Sequence, residues 1–402
     1  MNRSAPTTYP WAYGLPVAVY YAALGIFQGY NAKYYQAMGI AADSTQMMLL
    51  MVSLPLIALA AQPVWGMVGD RMKWRNTSLA IMIVVSGALV ALLPARGGFG
   101  WMMALSCLFA AFFTPIQPMM DSIILEDMHR QSAPFGPVRL MGSVGYALTN
   151  LLLASLFEGR FHLVPWATLI ALAALYASAL VLPKLRGHQR GRVRVPVSTI
   201  LKLPHMKQLL LLVIALQLAM GYFYSYFTLH FTALPGGTSG NLGLSYFISA
   251  VCELPFLLFS HRLYRRFGVG RLMVMSAALM TLRFLMTGLA PDATWLLISQ
   301  VLHGGGFIVI TVAMAMYIND TVPDELKSGG QMLLAVVGYG LARVFGTFGG
   351  GFIGRWTGGT AGGFLAMAGL CLVAFLLAAP YFLKIGPLDG EKRPQPEPQG
   401  DA

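Results

Sequence analysis

Phe135-Gly136-Pro137-Val138-Arg139-Leu140-Met141-Gly142-Ser143-Val144-Gly145-Tyr146-Ala147-Leu148 enters an apolar run that continues through Asn150 to Leu156. The run is long enough to cross a bilayer, which takes roughly 20 residues of helix. An arginine stands inside it. A guanidinium at the centre of a membrane helix costs about 2.5–3.5 kcal/mol on insertion scales, so Arg139 is expected to face a polar cavity and a carboxylate. The nearest upstream candidate is Asp121, near the end of the preceding apolar run. The stretch therefore reads as a membrane helix that carries part of a polar site.

Composition extends this reading to the whole chain. Its 402 residues are 57% hydrophobic and 10% charged, against roughly 25% charged in soluble domains. Apolar runs recur at Tyr13–Tyr35, Gln46–Gly69, Asn76–Ala95, Gly98–Ile123, Phe135–Phe157 and Leu163–Leu182. They resume at Gln208–Phe231, Gly240–Leu263, Arg271–Ala290, Ala293–Ile318, Gln331–Ile353 and Ala361–Leu383. On the length criterion these predict an all-α integral membrane protein with twelve transmembrane helices. The first run is longer than the apolar core of a signal peptide and is read as a membrane helix. The expected organisation is a first six-helix half over 12–182, a basic middle loop over 183–207, a second six-helix half over 208–384 and a disordered, Pro-rich tail over 385–402.

The formal net charge of +12 could suggest nucleic acid as a partner, but its distribution has a simpler cause. Arg71, Lys73 and Arg75 share one loop; seven lysines and arginines lie between Lys184 and Lys207; Arg262, Arg265, Arg266 and Arg271 form a third group. Lys384, Lys392 and Arg393 follow the last helix. Basic residues in alternate loops orient a membrane protein, which predicts an inner-membrane protein with both termini cytoplasmic. The lipid bilayer, not nucleic acid, is the expected surrounding. Cys107, Cys252 and Cys371 lie in apolar runs without a CxxC pair or metal-ligand spacing, so they read as small core residues and neither a metal nor a cofactor is expected.

Two internal patterns follow. Val144-Gly145-Tyr146-Ala147-Leu148 recurs as Val337-Gly338-Tyr339-Gly340-Leu341, as in transporters built from parallel repeats. Gly338, Ala342, Gly346, Gly350 and Gly354 are spaced four apart and place a small-residue stripe on one helix face, a packing device rather than a site. Arg343 stands beside the stripe, to line a cavity or to reach toward a head-group region. In the second half Glu253, Arg283 and His303 lie deep in apolar runs. A carboxylate beside Leu254-Pro255-Phe256-Leu257-Leu258-Phe259 is tolerated there only protonated or paired. Either a structural cluster or a proton-exchanging one satisfies that requirement.

Gly66-Met67-Val68-Gly69-Asp70-Arg71-Met72-Lys73-Trp74-Arg75 closes the second helix and resembles the loop signature of the major facilitator superfamily, G-x-x-x-D-[RK]-x-x-x-[RK]. Asp121 followed by Phe135, Gly136, Arg139, Gly142, Gly145 and Tyr146 is similar to the F-G-x-x-R-x-x-G-x-x-G-[WY] region of the lactose-permease group and its oligosaccharide and nucleoside proton symporters. Gln62-Pro63-Val64-Trp65-Gly66 and Leu302-His303 extend the resemblance, the latter also to the phenylpropionate-permease-like branch. The resemblance implies a major facilitator fold with a mid-membrane substrate site. It places Asp121, Arg139, Tyr146 and Tyr30 on a small-molecule substrate, Glu253, Arg283 and His303 on proton coupling, and Gly66, Asp70 and Arg71 on gating, in a monomer. It also has a departure: Gly306 stands where the lactose permease has a second carboxylate after the histidine.

Substrate class stays open between a saccharide, a nucleoside and an aromatic acid. Arg139, Arg283, Arg343 and Lys33 outnumber Asp121 and Glu253, while Tyr30, Tyr34, Tyr222, Tyr224 and Tyr246 suit any of the three. No G-x-x-x-x-G-K-[ST], H-E-x-x-H or G-x-S-x-G sequence occurs, which argues against a nucleotide-driven pump and a membrane hydrolase. A proton-driven exporter and a non-transporting receptor are the remaining alternatives.

Overall fold

A backbone crossing hydrocarbon must satisfy its own hydrogen bonds, and the apolar runs do so as helices. The computed structural model describes residues 10–95, 97–131, 136–185, 200–322 and 327–385. Most of the predicted middle loop (186–199), the tail (386–402) and Phe135 lie outside them.

The first half comprises α1 (Gly14–Ala37), α2 (Thr45–Arg71), α3 (Arg75–Leu92), α4 (Phe99–Met128), α5 (Pro137–Phe157) and α6 (Phe161–Ala179). The second begins with α7 (Met206–Ala233) and continues in one helical stretch, Ser239–Gly288, that Gly268 divides into α8 (239–267) and α9 (269–288). It closes with α10 (Ala293–Thr321), α11 (Gly329–Trp356) and α12 (Thr360–Lys384). Ten continuous stretches are long and apolar enough to cross a membrane; α1 and the division at Gly268 bring the described helices to twelve.

The predicted boundaries shift by a few residues, with one difference of kind. A loop is expected between the eighth and ninth runs, yet α9 starts where α8 stops. Gly268 adopts φ 69 and ψ 163, a conformation essentially open only to glycine, so one residue reverses the direction that a loop would otherwise supply. Elsewhere short connections are fixed by caps. Ser44 Oγ accepts from the Met47 N–H at 3.1 Å, Thr238 Oγ1 from Asn241 at 3.2 Å, and Asp292 Oδ1 from Thr294 at 2.8 Å.

The two halves share a packing device. A Cβ at Gly145 would lie 2.1 Å from the Ala18 carbonyl oxygen, so its absence lets α5 press on α1. Gly346 does the same for α11 on α7, where a Cβ would lie 1.9 Å from the Leu218 carbonyl oxygen.

Between the halves, the polar contacts gather at one end, opposite the end where α1 begins and α12 stops. There Thr228 donates to the Gly29 carbonyl at 2.8 Å, Arg355 donates to Thr45 Oγ1 at 3.1 Å, and the Ser239 N–H bonds Glu158. Among the described residues, these are the hydrogen bonds that join the halves. Gly243 seals the same far end, because α8 lies directly against the Asn150 carbonyl of α5, 2.2 Å from where a Cβ would stand. Gly243→Leu is therefore expected to disfavour this closed arrangement by roughly the 1–3 kcal/mol of an overpacked contact, about a five- to hundred-fold change in population. Reaction of a Thr228→Cys reporter with a water-soluble maleimide checks it: the rate should rise in the Gly243→Leu background.

Candidate functional site

A cavity of about 300 Å³ lies between the halves. The first half supplies Tyr21, Gln28, Gln117, Arg139, Ser143 and Tyr146; the second supplies Phe223, Tyr224, Tyr246, Ser249, Glu253, His303, Phe307 and Arg343. A second hollow, about 400 Å³ between α7 and α12, is lined by residues such as Leu211, Val373 and Leu377 and holds no charged group. Those three side chains are exposed on the apolar outer surface, where lipid would pack. Of the two, only the first is lined by arginine, glutamate or histidine side chains, namely Arg139, Glu253, His303 and Arg343.

Sequence reasoning pairs Arg139 with Asp121, and the structure separates them by two neutral side chains. The Arg139 guanidinium lies over the Tyr21 ring at 4.5 Å. The Gln117 amide donates to Tyr21 Oη at 2.6 Å and, more weakly, toward Asp121 Oδ2 at 3.5 Å. Gln117 stands one helical turn before Asp121, which puts both on one face of α4. Asp121 Oδ1 is buried without a hydrogen-bond partner. The expected direct ion pair is thus a relay, Arg139 to Tyr21 to Gln117 to Asp121, of which only the first three line the cavity.

Tyr146 lines the cavity, with its ring 6.0 Å from that of Tyr246. Tyr30, also expected on the substrate, is instead packed behind the lining against Phe157 at 4.9 Å and Tyr246 at 6.5 Å. Lys33 is not a site cation: it bonds Gln36 at 2.8 Å and lies 5.6 Å from the Phe161 ring at the far end. Arg343 is one: its Nε donates to Gln217 at 3.0 Å, and Tyr224, Phe307 and Tyr339 surround its guanidinium at 5.1, 5.8 and 5.9 Å.

Glu253 and His303 meet directly, Oε1 to Nε2, at 3.0 Å. Their side chains are 15% and 7% exposed, so the pair is shielded yet reaches the cavity. The His303 ring stacks on Phe307 at 5.2 Å. Arg283 is expected beside Glu253 and is found one layer back, wholly buried. It donates to Gln300 Oε1 at 2.7 Å and lies 4.1 Å from the Phe223 ring, and Phe223 in turn faces His303 at 6.4 Å. Among the described residues no carboxylate touches it, so amide and ring faces carry its charge. Two π-helical stretches, Gly304–Ile308 and Leu334–Leu341, frame this side of the site. Such irregular turns free backbone geometry that a regular helix fixes, and they recur at functional sites.

At the end where α1 begins and α12 stops, Arg75 bridges Asp70 at 3.0 Å and Glu126 at 3.1 Å, and also donates to Ser122 at 3.2 Å. The signature loop is thus tied to the base of α4 through Arg75, whereas Arg71 is exposed. Of the two glycines in the signature, Gly69 stands at a close helix approach, where a Cβ would lie 2.4 Å from Met119; around Gly66 there is open space.

Sequence reasoning misses the amides. Gln117, Gln217 and Gln300 hold Asp121, Arg343 and Arg283 respectively, and their signal was only isolated polarity in apolar runs. Gln300→Leu is expected to lower stability by about 1–3 kcal/mol, the cost of a buried donor left unpaired. Thermal unfolding in detergent measures it; an unchanged midpoint would show that Phe223 alone suffices to hold Arg283.

With this geometry in view, relatives can be compared. The chain is 29% identical over 330 residues to the maltose permease of Geobacillus stearothermophilus, covering 80% of this chain and 82% of that one. It is 23% identical over 364 residues to the probable 3-phenylpropionic acid transporter of Escherichia coli, covering 89% and 94%. The crystal structure of a mutant of the nucleoside transporter NupG superposes with a TM-score of 0.80 at 14% identity, over 92% of this chain and 99% of that one, which shows the major facilitator fold. The profile of the MFS_1 like family matches residues 11–365, and the chain, a membrane transporter rather than an enzyme, belongs to that family.

Proposed function

We propose that the protein is a proton-coupled symporter that imports a small polar or aromatic organic solute, such as a saccharide, a nucleoside or an aromatic acid, by alternating access. In this reading it works as a monomer in the inner membrane with both termini cytoplasmic. The observation that carries it is the Glu253–His303 contact at 3.0 Å in the lining of a cavity to which both halves contribute. The printed names of two relatives, a maltose permease and a probable 3-phenylpropionic acid transporter, support the range of solutes.

The pair is suited to exchange one proton. With a proton on Glu253, the carboxyl donates to His303 Nε2; with the same proton moved across, a carboxylate accepts from an imidazolium. Both forms are neutral overall. Loss of that proton leaves a carboxylate facing a neutral imidazole, a net charge of about −1 in a site of low dielectric. That change is large enough to separate two conformations in energy, and Arg283 and Arg343 stabilise the charged form from behind and beside it. The basic loops support a cytoplasmic location for the end where α1 begins and α12 stops. The closed far end is then extracytoplasmic, and the conformation described is the one that serves the cytoplasmic side.

Glu253→Gln keeps a hydrogen-bonding side chain but cannot release a proton. It is expected to exchange substrate at equilibrium and to lose accumulation driven by a pH gradient. Uptake into proteoliposomes of maltose, uridine and 3-phenylpropionate, run beside counterflow, tests this; wild-type accumulation by Glu253→Gln removes Glu253 from coupling. Asp70→Asn weakens the Arg75 bridge by about 1.5–3 kcal/mol, the range for a charged hydrogen bond. It is expected to slow turnover while leaving substrate affinity within a few fold, and unchanged transport rates would separate the cluster from gating.

A further inference from the structure

We propose that the transported solute is an organic monoanion, a carboxylate on a planar or aromatic body, held between Arg139 of the first half and Arg343 of the second. The proposal deepens the transporter reading above and rests on it.

The charges in the cavity lining are unequal. Two guanidiniums, Arg139 and Arg343, face a single carboxylate, Glu253. That carboxylate is already engaged by His303 at 3.0 Å. Asp121 stands outside the lining, 3.5 Å from Gln117; the Arg139 charge acts on it without a direct ion pair. Among the described residues, neither Arg139 nor Arg343 makes an ion pair. Each is instead held by neutral groups, with no carboxylate in direct contact among the described residues. Arg343 is tethered through Nε by Gln217, which leaves the two terminal nitrogens for another partner. The Arg139 guanidinium lies over the Tyr21 ring at 4.5 Å. A planar fork of donors presented this way matches a carboxylate in a bidentate fashion.

The surroundings fit the body of such a solute. Rings of Tyr224 and Phe307 flank Arg343, and Tyr146 and Tyr246 stand in the same lining. They offer flat apolar faces beside the cationic end. A neutral saccharide would donate and accept hydrogen bonds here but would leave both cations uncompensated inside the membrane, where an unpaired charge is costly. An anion cancels one of them and attracts the other. Because the two arginines belong to opposite halves, it also links those halves, and a ligand shifts a conformational balance only through such state-dependent contacts.

Charge accounting then sets the electrical character of transport. Glu253 is the lone carboxylate of the lining, so one proton accompanies one monoanion and the loaded step moves no net charge. The same proton carried with a neutral sugar or nucleoside would move one positive charge.

The test uses the full-length protein in detergent and in proteoliposomes. Thermal stabilisation and equilibrium binding are measured with benzoate and 3-phenylpropionate, with the neutral 3-phenylpropanol and 3-phenylpropanamide, and with maltose and uridine. The expected result is binding of at least one aromatic acid, at least ten-fold weaker binding of its neutral counterparts, and at least ten-fold loss in Arg343→Gln. Arg343→Lys, which keeps the charge, should retain part of the affinity and guards against a folding defect in Arg343→Gln. Uptake of the acid should follow an imposed pH gradient and be indifferent to a potassium–valinomycin potential. Binding of maltose or uridine with no preference for the acids overturns the monoanion assignment and leaves proton symport standing. Failure of every acid to bind also overturns it. Arginine-dependent binding of an acid that no pH gradient accumulates supports the anion site and sinks proton coupling instead.

Discussion

Charge buried between two membrane bundles has to be cancelled, shared or spread over dipoles, and this requirement governs the centre of the molecule. Each ionisable group there meets it differently. Glu253 shares with His303. Arg283 spreads its charge onto Gln300 and the face of Phe223. Arg139 reaches Asp121 only through Tyr21 and Gln117. Arg343 leans on Gln217 and three rings. Among the described residues, direct carboxylate–guanidinium pairing is confined to the cluster of Asp70, Arg75, Glu126 and Arg130 at the membrane edge, where water lowers its cost. Neutral amides and aromatic rings hold the inner cations in place without extinguishing them. A substrate can therefore act on those charges, as it could not on a closed salt bridge.

Helix packing sets how near these groups come. Gly145 on α5 and Gly346 on α11 bring each of those helices against the backbone of α1 and α7, the same arrangement in both halves. The echoed tyrosines differ in place: Tyr146 lines the cavity in one half, and Tyr339 lies 5.9 Å from the Arg343 guanidinium in the other. Equivalent helices carry different polar groups, so one scaffold presents Arg139 from one side and Glu253, His303 and Arg343 from the other.

Legibility in the sequence divides along a physical line. Long apolar runs report helices because burial in lipid leaves the chain no other structure, and the runs at Gln46–Gly69 and Ala293–Ile318 differ from the observed α2 and α10 by a few residues. Rotation of a helix about its axis leaves no such trace. Whether Arg343 pointed inward, whether Tyr30 reached the cavity, and whether Arg283 met a carboxylate or an amide all depend on it. The loop expected around Arg265 is a different failure. A single glycine at 268 does the work of a turn, and its positive φ is invisible until the backbone is seen. Gln117, Gln217 and Gln300 were overlooked because an uncharged amide in an apolar run resembles any other polar interruption.

The far end of the interface has a material consequence. Three hydrogen bonds, the close approach of Gly243 to Asn150 and ring contacts such as Tyr30 with Tyr246 seal it among the described residues. Packing of this kind gains no hydrophobic driving force in lipid, since the acyl chains that replace a neighbouring helix are equally apolar. Parting the halves there would exchange protein contacts for contacts with lipid or water at modest cost and widen the protein's cross-section on one leaflet only. The bilayer's lateral pressure and thickness thus enter the balance between the two orientations as mechanical variables, and the membrane acts as a spring in parallel with the protein's own seal.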